Sequence, residues 1–79
     1  MDELEEGKQT FLKIIQGLDA TIEVVIPVTP SNSLFLISLT KGANRTFITV
    51  HEDDMLDLPN EADIVTKTTT MLSEAITQL

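Results

Sequence analysis

"SLFLISLTKGANRTFITVH", residues 33–51, decides the fold. Two runs rich in β-branched and apolar residues, SLFLISLT (33–40) and RTFITVH (45–51), flank the connector KGAN. Gly42 supplies the freedom to take a positive φ, so the stretch reads as a β-hairpin. Upstream, ATIEVVIPV (20–28) alternates, with Ile22, Val24, Ile26 and Val28 on one side. Its connector to the next run is TPSN, where Pro30 presets φ for a turn.

If both connectors are four-residue loops, Ile26 lies opposite Phe35 and Thr40 opposite Arg45. The result is an antiparallel three-stranded meander. One face collects Ile22, Val24, Ile26, Phe35, Ile37, Leu39, Ile48 and Val50, a clean separation that a wrong pairing would spoil. Pro27 has no N–H for a ladder, so the first strand is an edge or is bulged there.

On either side of the strands the apolar period changes to 3.6. Residues 2–17 read as a helix, with Leu4, Phe11, Leu12, Ile14, Ile15 and Leu18 on one face. Asp2, Glu3, Glu5 and Glu6 crowd its first turns, where the positive end of the helix dipole favours them. Gly17 reads as a Schellman stop before Leu18, and Gly7 as an internal flaw where the first turn frays. Residues 60–79 form the second helix, with Ile64, Val65, Thr68, Met71, Leu72, Ala75, Ile76 and Leu79 facing inward. Asn60, after Pro59, is its expected N-cap. Residues 52–59 read as an acidic loop. The order α-β-β-β-α in one domain, residues 1–79, predicts an α+β two-layer sandwich with both helices on one sheet face.

Composition narrows the function. The net charge is −8 on 79 residues, and the five basic residues (Lys8, Lys13, Lys41, Arg45, Lys67) are dispersed. Such a field repels phosphate backbones and anionic membranes, so neither nucleic acid nor membrane is an expected partner. Domains that bind double-stranded RNA share this element order. Here, however, the second helix opens Asn60-Glu61-Ala62-Asp63 and the first opens on acids, so the order alone implies nothing about function. There is no cysteine, hence no disulfide and no thiolate ligand. No apolar run approaches a membrane span, and MDELEEGK is acidic where a secretory leader would be basic and then apolar. A cytoplasmic protein is expected.

HEDDMLDLP (51–59) is the one stretch that resembles chemistry, with the sole histidine followed by Glu52, Asp53 and Asp54. On an extended strand end, His51 and Asp53 would point away from Glu52 and Asp54, which does not make a metal site. As a calcium loop, Asp53-Met55-Asp57 puts a thioether where an oxygen is needed, and no glycine follows. A solvated strand exit, with Met55, Leu56 and Leu58 tucked under the second helix, is the expectation. No nucleotide-binding loop, nucleophile elbow or zinc-protease motif occurs, so neither an enzyme nor a cofactor is expected.

The second sheet face is different. Val25, Leu34, Leu36 and Phe47 lie there beside Glu23, Ser38, Thr49 and His51, half apolar where an exposed face normally reads polar. Such a group suggests an interface, with Glu23 and His51 at its rim. The expected function is a non-enzymatic protein-interaction module, homodimeric through this face or the edge strand. Two alternatives stand beside it. The acids Asp2, Glu3, Glu5, Glu6, Glu52, Asp53 and Asp54 form a patch that docks on a basic nucleic-acid-handling protein, as an inhibitor or nucleic-acid mimic. Residues 51–57 have a weak metal-binding role.

Overall fold

A computed structural model describes residues 3–79 as α1 (Glu3–Leu18), β1 (Glu23–Val25), β2 (Leu34–Lys41), β3 (Asn44–His51), α2 (Glu52–Asp57) and α3 (Ala62–Ile76). The strands make one antiparallel sheet in the order β1-β2-β3. The helices supply the other layer of an α+β fold, and Phe11, Ile15 and Leu72 meet one sheet face in a shared core.

The hairpin follows from its residues. Its ladder runs from Leu34↔His51 to Lys41↔Asn44 and includes Thr40↔Arg45 as expected. Because Lys41 and Asn44 also pair, the loop shortens to Gly42-Ala43. Gly42 has φ 60°, the left-handed value that suits the first position of a tight hairpin turn.

β1 departs from expectation. It pairs for three residues only, and Val24 lies opposite Leu39 where the expected register set it opposite Ile37. A two-residue shift leaves every side chain on its face, so the division into faces survives. The next pair with an N–H to donate into the ladder would have joined Pro27 to Leu36, and proline has none. Pairing stops at Val25. The chain returns through a turn in which Ser31 and Leu34 exchange both backbone hydrogen bonds, at 2.9 and 3.0 Å. Asn32 (φ 53°) and Ser33 (φ 63°) form its corner, two successive left-handed residues as in a type I′ turn. Val28, expected on the core side, is therefore on the surface.

The core contains Phe35, Ile37 and Leu39 of β2, fully buried, with Ile22, Ile48 and Val50 beside them and Val24 and Ile26 packed at the margin. Met55, Leu58 and Leu72 are also fully buried, and Thr68 faces inward as its position on α3 predicted. Each large apolar side chain so buried contributes about 1.5–3 kcal/mol relative to exposure.

Four other expectations are corrected. Gly17 is not a stop: α1 continues through it to Leu18, and Gly42 is the only described glycine with positive φ. The α1 exit is set instead by Asp19, whose Oδ1 accepts from the Thr21 N–H (2.9 Å) and hydroxyl (2.6 Å) while Oδ2 accepts from Lys41 Nζ (2.7 Å). Residues 52–57 are a short helix and not a loop, with the acids in the first turn. Asn60 is not the cap of α3; that helix starts at Ala62, and the Asn60 and Glu61 N–H groups both donate to the Asp57 carbonyl. Gly7 does not fray the first turn. It is buried where α1 crosses α2, and a Cβ there would collide with the Met55 carbonyl oxygen.

Candidate interaction surface

The ladder places the face opposite the core in rows. Glu23, Thr40 and Arg45 make one row, and Val25, Ser38 and Phe47 the next. Leu36 with Thr49, then Leu34 with His51, complete it. Leu36 is thus diagonal to both Val25 and Phe47, close enough for large side chains to adjoin. Val25 is 64%, Leu36 56% and Phe47 57% exposed, so three of the four expected contact residues form an uncovered apolar group. Leu34 shares the face but is half-buried beside the Ser31–Leu34 turn. Glu23 and His51 are exposed at opposite ends of the sheet.

The outer edge of β3 adjoins this group. The Glu52 N–H donates to the Ser33 carbonyl at 2.8 Å, extending the β2–β3 ladder by one hydrogen-bonded pair. Antiparallel ladders alternate, so Val50, Ile48, Thr46 and Asn44 bond inward to β2. Arg45, Phe47 and Thr49 then aim their backbone N–H and C=O groups outward, and His51 its N–H alone, since its carbonyl accepts the first hydrogen bond of α2. Their side chains are also the ones on the uncovered face.

The acids divide. Glu3, Glu5 and Glu6 are exposed in the first turn of α1, and Asp53 is exposed in the first turn of α2. The Gly7–Met55 crossing lies within about a turn of both runs. Asp54 is committed elsewhere, with Lys67 Nζ at 3.0 Å from its Oδ2. Asp2 lies outside the described residues. Among those residues, no group of three or more His, Cys, Asp and Glu could hold a metal ion. The expected extended geometry of 51–54 does not occur, because the chain enters α2 directly after His51.

Sequence reasoning missed a cleft of 340 Å³ between the end of β3 and α3. Thr49, Val50 and His51 line one wall, Lys67, Thr68 and Met71 the other, with Asp54 at the rim. These residues are distant in sequence and meet only when α3 returns past β3, so no local motif marked them. The cleft offers one imidazole, and its carboxylate is held by Lys67. It can accept an apolar side chain against Val50 and Met71.

This is a small α+β domain with a meander sheet covered on one face. The chain matches no family model, no curated protein and no solved structure. No helix among the described residues is long and apolar enough to cross a membrane.

Proposed function

We propose that the protein is a non-enzymatic, cytoplasmic protein-interaction module, homodimeric through the uncovered sheet face or the free edge strand, with acids that steer it to a further protein partner. The observation that carries this reading is the adjacency of Val25, Leu36 and Phe47, each more than half exposed on one side of the sheet. Large contiguous apolar groups on so small a domain favour covering by another chain. The charge of −8 and the absence of cysteine suit a cytoplasmic setting and disfavour nucleic acid as the partner.

A second reading has its own support. The first turns of α1 and α2, helices that meet at Gly7 and Met55, carry Glu3, Glu5, Glu6 and Asp53 exposed and Glu52 half-buried. That arrangement fits an inhibitor or nucleic-acid mimic docking on a basic protein, with salt-sensitive binding.

Light scattering on a sizing column separates the two. The double variant Leu36→Glu/Phe47→Glu is expected to be monomeric where the parent is a dimer, because both charges enter the apolar group. A double variant that keeps both the parent's mass and its capture of a partner overturns the first reading. Loss of capture on neutralising the acids, with no effect of the face variants, favours the second.

A further inference from the structure

A strand edge that no other strand pairs is a template for another strand; that of β3 is neither short nor proline-blocked, and at Thr49 and His51 it borders the cleft to α3. Its outward groups are the N–H and C=O of Arg45, Phe47 and Thr49 and the N–H of His51. Resting on the homodimer reading above, we propose that the occupant of this edge is β3 of a second copy, paired antiparallel about a two-fold axis at Ile48 to make a continuous six-stranded sheet.

Three constraints select this arrangement. Outward backbone groups must meet outward groups, and uncovered-face side chains must meet uncovered-face side chains. Odd-numbered residues therefore pair with odd-numbered residues. Centring the axis at Ile48 sets Phe47 opposite the partner's Thr49 and Arg45 opposite the partner's His51, which uses the strand from Arg45 to its end. Centring at Phe47 would instead pair His51 with Ala43 in the turn, and centring at Thr49 would pair Arg45 with Asp53 in α2.

Charge is the third constraint and the one that chooses a second copy. β3 carries the cation Arg45 as its second residue and runs directly into Glu52 and Asp53. Antiparallel self-pairing lays the basic start of each strand beside the acidic exit of the other, twice per dimer. Parallel pairing would set acids against acids. The apolar residues agree: Phe47 becomes diagonal to the partner's Phe47, within reach of an aromatic side chain. Each copy's Val25–Ser38–Phe47 row then continues into the partner's Thr49 and Leu36, which joins the two apolar groups.

The chain has no cysteine, so introduced thiols report the pairing cleanly. Singly substituted Phe47→Cys and Thr49→Cys proteins are mixed, oxidised and analysed by mass. The mixed 47–49 disulfide should form in excess of random pairing and outweigh both homodisulfides, since directly opposite residues fall within bridging distance. In parallel, Thr49→Pro removes one outward N–H at an edge position that tolerates proline. It should be monomeric, with the parent's circular dichroism, where the parent is dimeric. Leu36→Glu, on β2 and so one strand in from the seam, should leave the dimer intact. A dimer that Leu36→Glu dissociates, with no preference for the mixed disulfide, is stacked through the sheet face. That result overturns the edge pairing and leaves the homodimer reading standing. A parent that is monomeric at every concentration overturns both. If Thr49→Pro fails to fold, the disulfide distribution decides alone.

Discussion

Three residues carry distinct structural constraints. Gly7 sits where α1 meets the Met55 carbonyl, and backbone oxygen cannot rotate aside. Alanine is the better helix former by about 0.5–1 kcal/mol, so propensity alone favours Gly7→Ala. The collision reverses the sign: the substitution should destabilise the protein by about 1–3 kcal/mol, read from urea unfolding. A stabilised variant would mean that α1 and α2 do not cross there. Ser33 is the opposite case, an L-residue at φ 63°. Ser33→Gly creates the Asn-Gly pair that type I′ turns favour and should stabilise by about 0.5–1 kcal/mol, seen as a higher urea midpoint. Asp19 is titratable. The Lys41 ammonium first, then the Thr21 hydroxyl and N–H, hold its carboxyl well below the usual carboxylate range. The unfolded chain therefore takes up this proton first as pH falls. Stability from Asp19 is complete above the ordinary aspartate value of about 4 and is lost progressively below it. Asp19→Asn should lower the melting temperature at neutral pH and flatten its acid-side decline; an unchanged profile would show that the Lys41 contact is not maintained in solution.

At the scale of elements, what could be read from the sequence depended on length and period. The β2–β3 hairpin was legible because two long alternating runs leave one acceptable pairing, and Gly42 marks its turn. The two sheet faces were legible for the same reason, and they withstood a wrong β1 register because the shift was even. β1 itself was overread. Alternation continued through Pro27 and Val28, but a ladder needs N–H groups as well as side chains, and the corner lay at Asn32-Ser33 and not at Pro30. The short helix α2 was read as a loop because six residues are too few to show a helical period. Asn60 has a capping side chain, yet the turn that returns Asn60 and Glu61 to the Asp57 carbonyl delays α3. Gly7 looked like a local flaw since its role depends on a helix that was not expected. On the candidate surface, Val25, Leu36 and Phe47 followed from strand parity. The partial covering of Leu34, the commitment of Asp54 to Lys67 and the β3–α3 cleft did not, because each depends on tertiary placement.

As a whole molecule, the protein has one sheet and helices on one side of it, so half the sheet must meet either solvent or another chain. A 79-residue domain buries a smaller fraction of its surface than a large one and is correspondingly close to marginal stability. Covering Val25, Leu36 and Phe47 would add apolar burial that the single chain cannot provide for itself. A dimer would also make unfolding depend on protein concentration. The most direct test is light scattering on a sizing column for the unaltered chain over a wide concentration range. A mass of twice 8.7 kDa, falling towards 8.7 kDa on dilution, is the predicted result. A constant 8.7 kDa at every concentration would contradict self-association through this face or edge.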